Sequence, residues 1–176
     1  LPSILAGVLA MTIIVTASNF LVQYPLNDWL TWGALTYPVA FLVTDLTNRH
    51  LGPGAARRVV YVGFAFAVLL SAVLATPRIA IASGSAFLTA QLLDIYVFNR
   101  VRKARWWLPP LLSSLLASVV DTVLFFSLAF AATGSPWITW AFGDLGVKLA
   151  VALLMLVPFR LLLALTAPIK GSKATP

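Results

Sequence analysis

Six long apolar runs, each closed by a short polar connector, dominate this chain, and they limit its folds more than any other feature. A helix crossing a hydrocarbon core needs about 20 mostly apolar residues. On that ruler the spans are residues 3–23, 32–50, 59–76, 79–99, 109–132 and 141–167. The connectors carry helix breakers: "QYPLND" after the first span, "HLGPGAARR" after the second, "ATPR" after the third and "TGSPW" after the fifth. The runs are continuous and do not alternate, which excludes a membrane β-barrel. Only 10% of the residues are charged, whereas a soluble domain keeps roughly a quarter. The expectation is an all-α polytopic membrane protein with six transmembrane helices in one bundle, forming a single domain over residues 1–176. The first run lacks the basic start and small-residue cleavage site of a signal peptide and is read as a span.

A net charge of +7 raises nucleic acid as a partner, but the placement of that charge argues for a lipid bilayer instead. Arg49, Arg57 and Arg58 flank the loop after the second span, and Arg100, Arg102, Lys103 and Arg105 fill the loop after the fourth. Lys170 and Lys173 close the chain, while the opposite loops offer little beyond Arg78. Basic loops face the cytoplasm, so the expected topology is N-in, C-in, with no nucleic-acid partner. Trp106, Trp107, Trp137 and Trp140 fall at the expected interfaces, where amphipathic rings sit. There is no cysteine and no glutamate, and the one histidine is His50. A multi-ligand metal site, a cofactor and a metalloprotease pair of the HExxH type are therefore not expected, and the chain is not read as an enzyme.

Charges inside a membrane span are costly, about 2.5–3.5 kcal/mol each on the mildest insertion scale, so they face protein, water or a ligand. Asp45, Asp94, Asp121 and Asp144 lie in or near four different spans. Thr12, Thr16, Asn19 and Gln23 share one face of the first span. Ser114, Ser118, Asp121 and Phe125 do so on the fifth. Gln91 and Asp94 sit one turn apart on the fourth, with Phe87 and Phe98 on the same side. Tyr37, Phe41, Thr44 and Asn48 form a face of the second, with Asp45 beside it. Local explanations compete: threonines bond back to their own helix, while Asp45 with Arg49 and Asp144 with Lys148 have ion-pair spacing. Asp94 has Asn99 and Arg100 nearby. Asp121 has no basic residue in its span, so its partner comes from another helix, with Lys148 a candidate, or from a ligand. Stripes converging on one central cavity suit a flat heterocycle. A carboxylate accepts two parallel N–H bonds, an amide matches a donor–acceptor edge, and aromatic rings such as Phe87, Phe41 or Trp32 cover the faces.

Five segments in order, "TASNFLVQYP", "TWGALTYPVAFLVTDLTNRHLGPGAARR", "AQLLDIYVFNRVR", "WWLPPLLSSLLASVVDT" and "GVKLAVALLMLVPF", resemble the queuosine precursor transporter family, also called the vitamin uptake transporter family. The resemblance covers nearly the whole chain. It implies a bacterial inner-membrane importer of 7-cyano-7-deazaguanine, with the 7-aminomethyl base as a second candidate, and six helices. It marks Asn19, Gln23, Asp45, Gln91, Asp94, Asp121 and Lys148 as substrate-site or gating residues, with Phe87 added as a ring-stacking candidate. Two positions depart from the family pattern. Arg49 stands where many members have glutamate, and Ser118 stands where many have an amide. The family also resembles, distantly, the substrate-binding subunits of energy-coupling-factor importers, so an alternative reading makes the chain such a subunit of a multi-protein ATP-driven vitamin or nucleobase importer. With no nucleotide-binding motif, ATP hydrolysis would not be its own. Proton coupling, facilitated diffusion and pairing into a homodimer stay open at this level.

Overall fold

The computed structural model describes residues 4–74 and 76–166, the side chains of 71–72 and 164–166 excepted. Lys170 and Lys173 lie outside the described residues, as do the first residue of the expected first span and the last of the sixth. The regular structure of the described residues is all helical, with short connectors between helices and a lone bridge between Pro25 and Thr31. The helices are α1 (Ile4–Leu21), α2 (Gly33–Thr36), α3 (Val39–Leu51), α4 (Pro53–Leu74), α5 (Pro77–Arg100), α6 (Leu108–Phe130) and α7 (Trp137–Thr166). Five of them, α1 and α4 to α7, are long and apolar enough to cross a membrane.

The second expected span is the exception, because it is split into α2 and α3 at Pro38. Tyr37 and Pro38 keep right-handed helical dihedrals, so the chain does not turn away. Proline, however, has no N–H to donate and crowds the carbonyl four residues back. The bonds that follow close shorter rings: Ala40 N donates to Tyr37 O at 2.9 Å and Phe41 N to Pro38 O at 3.2 Å. The segment is therefore bent at the point where Tyr37 leaves it. Gly33 lets α2 lie against α1, since a Cβ there would sit 2.8 Å from Val22 Cβ and 2.9 Å from the Ser18 carbonyl. At the far end Gly52 takes a φ of 84°, which glycine adopts without penalty. That lets α3 stop and α4 start at once.

Other ends are fixed by side chains. Thr76 Oγ1 accepts from Ile79 N at 3.3 Å at the start of α5, where Pro77 takes the first helical position. Arg78 donates to the Leu128 and Ala131 carbonyls at 2.9 and 2.6 Å, satisfying the C-terminal end of α6. Gln23 Nε2 donates to Leu74 O at 3.0 Å and ties the ends of α1 and α4 together.

α5 is the most enclosed span and α7 the least. The core joins Met11 and Val15 of α1 to Ala40 and Phe41 of α3, and to Phe87 and Ala90 of α5. The outward faces are apolar: Leu5, Ile13, Leu69, Phe142, Leu154 and Leu161 are all exposed. In water such a surface would drive aggregation; in a bilayer it is the correct solvent match.

Candidate functional site

α6 and α7 bring a charged cluster into the middle of the bundle. Lys148 Nζ lies 2.7 Å from Asp121 Oδ2 and 2.5 Å from Asp144 Oδ2. It also donates to Thr122 Oγ1 at 3.0 Å. Thr122 in turn donates to Asp144 Oδ2 at 2.9 Å. Tyr37, delivered by the bend at Pro38, donates from its hydroxyl to Asp121 Oδ1 at 2.8 Å. The Lys148 ammonium lies 5.0 Å from the centre of the Tyr37 ring, within cation–π range. All of these side chains are buried. Two carboxylates face one ammonium, so the cluster carries a formal charge of −1 and retains a demand for donors.

Two cavities meet at this cluster. One, of about 30 Å³, is lined by Ser18 and Asn19 of α1, Ser83 of α5, Phe125 of α6, and Asp121, Asp144 and Lys148. The other, of about 10 Å³, is lined by Phe41 and Asp45 of α3, Ser114 and Ser118 of α6, Met155 of α7, and again Lys148. They hold roughly two water molecules and one, so in this conformation neither is wide enough for a bicyclic base.

The expected single central cavity is thus replaced by two, and the expected site residues divide between them. Asn19, Asp121 and Lys148 line the larger, where Asn19 Oδ1 accepts from Ser83 at 2.7 Å. Asp45 lines the smaller. It does not pair with Arg49, which exchanges hydrogen bonds with the backbone and side chain of Arg102. Asp45 instead receives contacts of 3.4 Å from Ser113 and from Ser114. Asp94 is fully buried beside Asp45 and Ser113, yet neither of its oxygens receives a hydrogen bond of normal geometry. Gln91 Oε1 accepts from Thr44 at 2.5 Å, and its Nε2 is unpartnered.

Two candidates sit elsewhere. Phe87 stacks on Phe64 at 5.7 Å in the closed core and meets the Tyr37 ring edge-on. It supports Tyr37 and does not face an opening. Gln23 is a helix-end clamp, for the reason given above. Of the local alternatives, Thr12 bonds back to Val8 O at 2.8 Å, whereas Thr16 Oγ1 finds no partner. Asn99 bonds Asn48 and Arg102, not Asp94. Tyr37, Thr122 and Asp144 are the members that sequence reasoning undervalued. From spacing alone Tyr37 is one member of a helix face, though its position before Pro38 signals a bend. Asp144 has the spacing of a simple neutralising partner for Lys148, and the ion pair it forms joins the candidate cluster around Asp121.

Comparison with known proteins agrees with this architecture. The family model described as "Putative vitamin uptake transporter" matches residues 31–76 and 71–163. The "Queuosine precursor transporter" of Escherichia coli K12 is 35% identical, over 83% of this chain and 79% of that protein. The "Probable queuosine precursor transporter" of Haemophilus influenzae is also 35% identical, over 82% of this chain and 79% of that protein. That of Bacillus subtilis is 27% identical, over 72% and 68%. No solved structure matches. The relatives are transporters and not enzymes, and the apolar helices here make this a multi-pass protein of the bacterial inner membrane. The chain belongs to the vitamin uptake transporter family.

Proposed function

We propose that this chain imports queuosine precursors, with 7-cyano-7-deazaguanine as the first candidate and the 7-aminomethyl base as the second. α2 and α3 together rise roughly 28 Å at 1.5 Å per residue, close to the hydrocarbon thickness of about 30 Å. They serve as the sixth crossing of one transmembrane domain. With six crossings the loops rich in arginine and lysine fall on one side, which gives N-in, C-in.

The observation that carries the reading is the buried cluster with one ammonium for two carboxylates, set under a cavity on the less basic side. A guanine-like base presents an N–H and an exocyclic amine side by side. Asp121 accepts both when Lys148 withdraws onto Asp144, so the carboxylate exchanges one donor set for another and is never left bare. Asn19 and Ser83 answer the remaining polar edge, and Phe125 covers a ring face. Adenine lacks the adjacent donor pair and would leave the carboxylate unmet, at about 1–3 kcal/mol. The cavity widens to admit the base by separation of α7, the least enclosed span.

The test is uptake of 7-cyano-7-deazaguanine into proteoliposomes containing only this protein, compared with guanine and adenine. Uptake without an added ATPase supports the reading and separates it from the ATP-driven subunit. Asp121→Asn should reduce uptake by an order of magnitude or more while the protein still elutes as a single species. Undiminished uptake in that variant removes Asp121 from the site.

A further inference from the structure

We infer that Asp45, with Ser114 and Ser118, forms a second binding station for the same donor-rich, flat ligand. It lies on the basic-loop side and is closed off from the first by the Tyr37–Asp121–Lys148 contact. This rests on the function proposed above and goes beyond it, since Lys148 stands in the wall of two separate polar cavities and a single site would need only one.

The helix directions set the order. The larger cavity takes its lining from the C-terminal end of α1, the N-terminal half of α5 and the C-terminal half of α6. The smaller takes its lining from α3, the N-terminal half of α6 and the second half of α7. Consecutive spans run in opposite directions, so these sets lie toward opposite membrane faces. Lys148 is in the wall of both cavities, and its bonds to Asp121 and Asp144 hold it between them.

The chemistry of the smaller cavity repeats that of the larger. Asp45 is buried; its two oxygens receive contacts of 3.4 Å from Ser113 and Ser114, at the weak limit of hydrogen bonding, and its carboxyl group also meets that of Asp94. Asp94 beside it is fully buried, and apart from its approach to Asp45 and Ser113 neither of its oxygens receives a hydrogen bond of normal geometry. Neighbouring carboxyl groups out of water with so few donors favour a ligand that brings N–H groups. Phe41 and Met155 supply an apolar wall for a ring face. Ser114, Ser118 and Asp121 follow one another at intervals of four and three along α6. One helix face therefore runs as a polar ladder from the inner station to the outer. A base released by Asp121 meets hydroxyls and then a second carboxylate as Lys148 swings back behind it.

Two experiments test this. The chain has no cysteine, so single probes at Ala86→Cys and Met155→Cys report the two cavities separately. Small membrane-impermeant methanethiosulfonates should label the first from the periplasmic face only and the second from the cytoplasmic face only. In the Lys148→Met background each should react from both faces. Labelling of both positions from one face, or no change on removing Lys148, overturns the two-cavity closure whatever the substrate is. For the station itself, Asp45→Asn and the space-filling Ser118→Leu should lower uptake of 7-cyano-7-deazaguanine by roughly tenfold or more. Binding measured from the periplasmic face should stay within about twofold, a difference below ~0.4 kcal/mol. Ser118→Leu keeps the test decisive if Asp45→Asn fails to fold. Weakening of outer-face binding as severe as in Asp121→Asn means one shared site, and unchanged uptake means no inner station. If the unmodified protein binds no deazapurine, the substrate assignment fails, while the labelling pattern still decides the closure.

Discussion

Replacing Lys148 with methionine is the perturbation whose size the geometry fixes best. Methionine keeps most of the stem and removes the ammonium, with its contacts at 2.7, 2.5 and 3.0 Å to Asp121, Asp144 and Thr122. What remains is two buried carboxylates in one cluster, with the Tyr37 and Thr122 hydroxyls as their donors. Removing one partner of a buried ion pair costs about 3–5 kcal/mol, mostly because of the charge left behind. Two carboxylates are left here, which places the expected loss toward the upper end. For a chain of this length, each kcal/mol moves the thermal midpoint by roughly 2–4 °C. Lys148→Met should therefore lower the midpoint of the purified protein by about 10–20 °C, read by intrinsic tryptophan fluorescence. Asp144→Asn leaves the Lys148–Asp121 pair intact and should cost far less. Combining Lys148→Met with Asp121→Asn should recover part of the loss, with a coupling of about 1.5–3 kcal/mol in the double-mutant cycle. A Lys148→Met midpoint within about 2 °C of the unmodified protein, or strictly additive variants, would refute the argument that the ammonium neutralises this cluster.

Tyr37→Phe removes one hydrogen bond to a charged acceptor, worth about 1.5–3 kcal/mol; it should destabilise measurably and speed labelling across the closure. Gly33→Ala forces a Cβ against Val22 Cβ and the Ser18 carbonyl, an overpacking of about 1–3 kcal/mol visible as a lowered midpoint. Pro38→Ala restores a backbone donor and relaxes the bend that delivers Tyr37. Uptake should fall more than stability, and unchanged uptake would show that the bend is dispensable. Arg78→Ala uncaps the Leu128 and Ala131 carbonyls and should raise amide exchange at the end of α6 without altering binding.

The spans were legible because lipid imposes one rule everywhere: length and apolarity suffice to mark α1 and α4 to α7. Pro38 is visible in the sequence, yet the split it causes is not, because an apolar run reads alike whether straight or bent. The charged residues were found for the same reason, since a carboxylate in hydrocarbon stands out. Their partners were harder. Spacing alone offers Arg49 to Asp45, but helix rotation points Asp45 at the serines of α6 and sends Arg49 to the backbone at Arg102. Rotation about a helix axis depends on packing from several neighbours, and no local pattern encodes it. Gln23 illustrates the same limit: spacing puts it on the Asn19 face, but it lies beyond the end of α1, where open carbonyls attract it.

α7 has 30 residues, a rise of about 45 Å, against a hydrocarbon core of about 30 Å. It must tilt or protrude, and it has few protein neighbours to fix its angle. Because Asp144 and Lys148 ride on it, the proposed site makes acyl-chain length a control on transport: thinner bilayers would increase its lean and shift the ammonium relative to Asp121. Turnover measured across a series of phosphatidylcholines of increasing chain length should therefore pass through an optimum.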